Sequence, residues 1–127
     1  MSKLLPRRPT DAELAILRVL WRRGPSTVRQ VHEELGEETG YTTVLKLMQI
    51  MAEKGLVTRD ESERTHVYKA RLPEEETQKQ LVTDLLERAF SGSASKLVMQ
   101  ALSAKKASAK ELAEIRKLLN EIGGRAR

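Results

Sequence analysis

Gly40-Tyr41-Thr42-Thr43-Val44-Leu45-Lys46-Leu47-Met48-Gln49-Ile50-Met51-Ala52-Glu53-Lys54-Gly55-Leu56-Val57 decides the reading of this chain. Val44, Leu47, Met48 and Met51 recur at i, i+3, i+4 and i+7, which predicts one buried helical stripe. The helix is entered through Gly40 and closed by Gly55, where a left-handed cap carries no Cβ penalty. Its other face opens with Tyr41, Thr42 and Thr43 and continues through Lys46 and Gln49, with no carboxylate before Glu53. Hydroxyls, an amide and a cation at an acid-free helix start suit a polyanion, so the helix is expected to be a DNA recognition helix.

Upstream, Thr10-Asp11-Ala12-Glu13 is a capping-box pattern opening a helix with Leu14, Leu17, Leu20 and Trp21 at helical spacing, and Gly24-Pro25 ends it. Trp21 is expected in the core. Ser26 or Thr27 caps a second helix with Val28, Val31 and Leu35 inward and Arg29, Gln30, Glu33 and Glu34 outward. A short loop, Gly36 to Gly40, leads into the third helix, giving a helix-turn-helix pattern.

After Gly55 the period changes. Leu56-Val57-Thr58-Arg59 reads as a strand, 60–65 as a polar turn, and His66 to Leu72 as the return strand. Three helices followed by a β-hairpin is the winged-helix order. Arg64 near the hairpin tip is the candidate wing contact, although Asp60, Glu61 and Glu63 surround it. Arg7 and Arg8, held between Pro6 and Pro9, read either as an extended arm touching phosphate or as a disordered basic tail.

Pro73 closes this first domain, residues 1–72. Residues 73–127 read as helices: one opened by Glu74-Glu75-Glu76 and broken at Ser91-Gly92-Ser93, a short one, and a last one opened by the box Ser108 to Glu111 and ended by Gly123-Gly124. Three short helices bury too little surface to stand alone. Their stripes are therefore expected to be shared with a second copy, through Leu81, Leu85, Phe90, Leu97, Val98, Leu102, Leu112, Ile115 and Leu119. The expected fold class is mainly α with a small β-hairpin wing: a winged helix-turn-helix followed by a helical dimerisation domain.

Composition narrows the function classes. The 127 residues are 39% hydrophobic but only 3% aromatic, so the core is aliphatic. With no cysteine, disulfides, thiol catalysis and thiolate metal sites are excluded. His32 and His66 are far apart in sequence, and there is no nucleophile motif, phosphate loop or metal-ligand cluster, so neither an enzyme, a cofactor nor a metal site is expected. No apolar run approaches the roughly 18 residues of a membrane span, and the first residues lack a secretory h-region. A cytoplasmic protein without membrane insertion is the expectation. The net charge of +5 is modest. Placement matters more, because the acids of the first half cluster at Glu33-Glu34-Glu37-Glu38 and at Asp60-Glu61-Glu63, away from the third helix's start.

In combination, Leu20-Trp21 before Gly24-Pro25, Val28-Arg29-Gln30-Val31-His32, Tyr41-Thr42-Thr43-Val44-Leu45, Glu53-Lys54-Gly55-Leu56-Val57 and His66-Val67-Tyr68 resemble the penicillinase-repressor family, bacterial transcriptional repressors that include the β-lactamase, methicillin-resistance and copper-responsive repressors. Phe90-Ser91-Gly92-Ser93 with Lys96-Leu97-Val98 is similar to the family's dimerisation segment. The resemblance implies a homodimer on a palindromic double-stranded DNA operator, with Tyr41-Thr42-Thr43 at the DNA-reading end, and a sensor protease or other inducer system as a further partner. In the β-lactamase branch, cleavage falls at an Asn-Phe bond; Gln100-Ala101 stands there in this chain. The copper branch senses metal through C-terminal cysteines, which this chain lacks. Ile50 stands where many members carry a basic residue. The reading that competes with a repressor is a winged helix used for protein contact.

Overall fold

The structure, a computed structural model, describes residues 8–125. Its elements follow in the order α1 (Asp11–Arg23), α2 (Val28–Leu35), α3 (Tyr41–Lys54), β1 (Val57–Asp60), β2 (Val67–Ala70), α4 (Glu74–Phe90), α5 (Ala94–Ala104) and α6 (Ala109–Arg125). The mainly helical winged-helix order expected from the sequence is the one observed.

Local chemistry sets each boundary. The Thr10 hydroxyl accepts from Glu13 N while Glu13 returns a carboxylate to Thr10 N, which starts α1. Of the two candidates for capping α2, Thr27 holds the position and exchanges the same reciprocal pair with Gln30. Gly55, at φ 82 and ψ 15, stops α3 in the left-handed region.

Ser26 has a different task. Its backbone donates to Tyr68 O at 2.9 Å and accepts from Tyr68 N at 2.8 Å, so the α1–α2 turn pairs with the outer edge of β2. The other edge of β2 pairs antiparallel with β1, from Val57↔Ala70 to Asp60↔Val67. The wing is thereby hydrogen-bonded to the helical layer. Its base is closed by Trp21, half-buried against the core, whose Nε1 donates to Leu72 O at 3.0 Å.

One core results, made of Ile16, Leu17, Val19 and Leu20 from α1, Val28 and Val31 from α2, Val44, Met48 and Met51 from α3, and Leu56, Val57 and Tyr68 from the hairpin. Each large side chain fully buried there contributes roughly 1.5–3 kcal/mol. Of the predicted α3 stripe, only Leu47 is half-buried rather than fully enclosed.

The chain divides into two compact units, one ending at Thr83 and the other beginning at Asp84, so the division falls inside α4. Thr77, early in α4, is buried, and no described residue after it is. In the second unit the turn after α4 places Ser91 at φ 51 and Gly92 at φ 81, and the Ser93 hydroxyl caps α5 by accepting from Lys96 N. The Ser108–Glu111 capping box forms at the head of α6. One expectation is corrected here: Gly123-Gly124 does not end α6, which continues to Arg125. Neither glycine takes a positive φ, and a glycine in a helix costs only about 1 kcal/mol relative to alanine, too little to enforce a stop.

A second signal lies in the core's polar seam. The Glu13 carboxylate is almost wholly buried and receives Lys54 Nζ at 2.7 and 2.9 Å, joining the start of α1 to the end of α3. Burial pushes the Glu13 pKa up, but the hydrogen bonds from Lys54 and Thr10 and the lysine's charge outweigh it. The net direction is down from the ordinary 4.5. A carboxyl lowered on folding contributes stability that is full above its unfolded pKa and is lost as pH falls through the folded one. Glu13→Gln is therefore expected to destabilise the N-terminal unit by about 3 kcal/mol at neutral pH, the low end for breaking a buried pair, because Lys54 reaches water. Urea denaturation at pH 7 and pH 3 checks this: the gap between wild type and variant is expected to narrow at the lower pH.

Candidate nucleic-acid interface

With Val44, Met48 and Met51 turned inward, α3 presents Tyr41, Thr42, Thr43, Lys46 and Gln49 to solvent. Gly40 at the N-cap offers no side chain to the first-turn N–H groups, and no acidic residue lies in that turn. The helix dipole and the uncapped N–H groups therefore favour an anion at this end. Ile50 is exposed on the same helix. Lys54 is not part of this face: its ammonium is committed to Glu13, which leaves Lys46 as the exposed lysine of α3.

Tyr41 does not stand alone. The Arg29 guanidinium, from the first turn of α2, lies 5.7 Å from the centre of the Tyr41 ring, and His32 meets that ring edge-on at 5.8 Å. His32 is thus a half-buried aromatic partner. Among the described residues no group of three His, Asp or Glu side chains could hold a metal ion. The cation–π contact contributes about 0.5–1 kcal/mol at an exposed site and fixes the direction of Arg29.

The wing completes the surface. Asp60 Oδ1 accepts from Ser62 N at 2.9 Å, which tightens the β1–β2 turn and holds the Asp60 carboxyl below its usual range. Arg59, facing Tyr68 across the hairpin, is ion-paired with Glu61 through its Nε. Hydrogen bonding to Tyr68 raises the Arg59 pKa, desolvation opposes it, and Glu61 adds to the rise, leaving the net direction upward. Arg29, Arg59 and Arg64 then line one open groove between α2, α3 and the wing, together with Tyr41, Gln49 and Thr65. No carboxylate lines it.

Of the residues singled out from sequence, Tyr41, Gln49 and Arg64 meet in this groove, while Thr42, Thr43 and Lys46 are exposed on the adjoining part of α3. Arg8 is exposed but does not line the groove, and Arg7 lies outside the described residues. Arg29 and Arg59 are not among the residues expected from sequence, where Arg29 reads as an ordinary outward residue of α2 and Arg59 lies beside an acid cluster. The local signals available were the capping position that puts Arg29 in the first turn of α2, and the alternation that puts Arg59 on the same face of the hairpin as Tyr68.

In the second unit, the residues expected at a dimer interface form incompletely covered faces. Leu85 is 46% exposed, Val98 46%, Leu102 37% and Leu119 60%. Leu81, Phe90, Leu97, Leu112 and Ile115 are half-buried. No helix among the described residues is long and apolar enough to cross a membrane.

Known proteins resemble the chain along most of its length. The sequence model of the family described as "Penicillinase repressor" matches residues 9–121. The transcriptional regulator BlaI of Mycobacterium tuberculosis, in strains CDC 1551 and H37Rv, is 44% identical over 71 residues, which cover 54% of this chain and 50% of that protein. The chain thus spans about half the length of these mycobacterial relatives. A penicillinase repressor of Bacillus licheniformis is 23% identical over 114 residues, covering 88% of this chain and 89% of that one. Among solved structures, a MarR family protein from Bacillus stearothermophilus superposes with a TM-score of 0.50 over 98% of this chain and 79% of its own, at 18% identity, which is a likeness of fold.

Proposed function

Because the chain belongs to the penicillinase-repressor family, we propose that it is a transcriptional repressor that binds a palindromic DNA operator as a homodimer. Residues 1–72 are the DNA-binding domain and residues 73–127 the dimerisation domain. The observation that carries this reading is the exposed, acid-free start of α3 lying beside a groove with three arginines.

On DNA, the first turns of α3 enter the major groove. Thr42 and Thr43 offer a donor, an acceptor and a methyl for thymine, and Lys46 reaches guanine acceptors. Lone threonines discriminate less than a bidentate Arg or Asn, so DNA shape carries part of the specificity. Tyr41, Gln49 and Arg64, with Arg7 and Arg8 from the N-terminal arm, add contacts along the backbone.

The second unit supplies the symmetry. Leu85, Val98, Leu102 and Leu119 leave an apolar surface whose burial against a second copy supports a dimer. The dimer places two half-sites about one helical turn, or a multiple, apart. Each half-site is weak alone, and linking them raises occupancy without new contacts. A sensor protease or other inducer system relieves repression by separating the dimerisation domains. Gln100-Ala101 lies on an exposed stretch of α5, and its chemistry differs from the Asn-Phe pair of the β-lactamase branch.

Selection from a random duplex pool at two salt concentrations tests the reading as a whole. Retention of a palindrome that is released steeply as salt rises is the expected result. Retention of no DNA would instead favour a protein-contact winged helix. Lys46→Ala is expected to weaken the selected operator by about 1–3 kcal/mol and random DNA by less. Equal losses on both would make Lys46 a phosphate contact. In sedimentation, Leu85→Asp is expected to convert dimers to monomers while the N-terminal domain keeps its cooperative unfolding.

A further inference from the structure

The arginine groove has an internal feature that the family reading does not require. It is built from separate elements: Arg29 from α2, Arg59 from β1 and Arg64 from the wing turn, with Thr27, Gln49 and Thr65 as neutral polar neighbours. Three guanidiniums around one open groove with no carboxylate in its lining suit the phosphodiester oxygens of a single DNA strand, since a guanidinium fork matches two such oxygens. Arg59 alone among the three is ion-paired with a carboxylate: Glu61, two residues further along the chain. The Asp60–Ser62 turn positions that carboxylate, and it occupies the Nε of Arg59. A carboxylate and a phosphate compete for the same donors.

We infer that Glu61 is a built-in competitor for DNA phosphate at Arg59, so that every binding event must displace it. The inference rests on the DNA-binding reading and adds a regulation of that site. In the free protein the pair is a surface ion pair, with side-chain exposures of 33% for Arg59 and 52% for Glu61. Such a pair is weak enough to open when a phosphodiester arrives. While closed, it removes one cation from the groove and sets a negative charge beside it. Both effects lower affinity for any DNA backbone, whatever its sequence. Contacts to base edges by α3 are unaffected, so the competitor suppresses non-specific binding more than operator binding relative to the total each has available.

The test is a salt titration of the full chain on a labelled random-sequence duplex, with a cycle of two substitutions. Glu61→Gln is expected to tighten binding roughly two- to fivefold, the equivalent of a surface ion pair. The slope of log affinity against log salt is expected to stay nearly unchanged, because once Glu61 is displaced Arg59 meets the same phosphate in both proteins. Arg59→Gln is expected to weaken binding. In the Arg59→Gln background, Glu61→Gln is expected to bring no gain, because the competition has lost its object. Glu61 is exposed on the wing, whereas Arg59 also bonds the buried Tyr68, so urea unfolding of each variant accompanies the titration and binding is compared between proteins that unfold as cooperatively as the wild type. An equal gain in both backgrounds would reduce Glu61 to a general repulsive charge, and no gain in either would remove its role; each overturns the inference while leaving DNA binding intact. Absence of any salt-dependent binding by the wild type would overturn the DNA reading and the inference with it.

Discussion

The burial of Val44, Met48 and Met51 along one stripe of α3 governs what the rest of this molecule can do. A helix has one rotation about its axis. Once three side chains of that stripe are enclosed by α1, α2 and the hairpin, Thr42, Thr43, Lys46 and Gln49 have no direction left but solvent. The same rotation turns the last residue of the helix, Lys54, toward Glu13 and takes its charge out of the outward face. The ion pair therefore sharpens the division of the helix: its cation-bearing end is consumed by the fold, and its uncapped start is left for a partner. Tyr68 and Ser26 extend the same constraint to the wing, since their paired backbones hold the hairpin against the helical layer at the height of the groove.

The second unit shows what happens when that kind of burial is missing. α4, α5 and α6 have amphipathic sequences, and α5 and α6 have side-chain caps, yet none of their described residues after Thr77 is buried. Capping contributes about 1 kcal/mol per helix end and cannot replace a core. Conformational entropy of about 1–2 kcal/mol per ordered residue must be offset by apolar burial, and the half-exposed leucines identify where that burial remains to be made. A helical segment of this kind is stable when its faces are shared, so the oligomeric state and the folding of these residues are one physical question.

Much of this was legible in the sequence because the informative contacts are local. The boxes Thr10–Glu13 and Ser108–Glu111 span three residues, and Gly55 declares a left-handed stop next to an apolar strand. The α3 stripe follows from its period alone. What could not be read is tertiary. The Glu13–Lys54 pair joins residues 41 apart, and the Trp21–Leu72 bond residues 51 apart. Tyr41 with Arg29 and His32 depends on how α2 crosses α3. No local pattern distinguishes Arg29 from any other solvent-facing arginine until that crossing is known. Gly123-Gly124 misled for the opposite reason: glycine permits a helix stop without demanding one, and nothing nearby forces a positive φ there.

Charge placement gives the last step. A net charge of +5 on 127 residues is small, and a wing bearing Asp60, Glu61 and Glu63 looks at first like a poor polyanion surface. The contradiction eases because two of these acids, Asp60 and Glu61, are engaged within the wing. Asp60 is turned onto Ser62 and Glu34 onto Arg22 and Arg23, and Glu61 occupies Arg59, while the groove between α2, α3 and the wing has Arg29 and Arg64 beside that pair and no carboxylate in its lining. Over a screening length of about 8–10 Å, an anion in the groove senses those arginines far more than the distant sum. If the chain binds DNA as proposed, such an arrangement serves a repressor that must leave random DNA as well as hold an operator: low overall charge limits binding everywhere, and guanidiniums gathered beside α3 strengthen it locally.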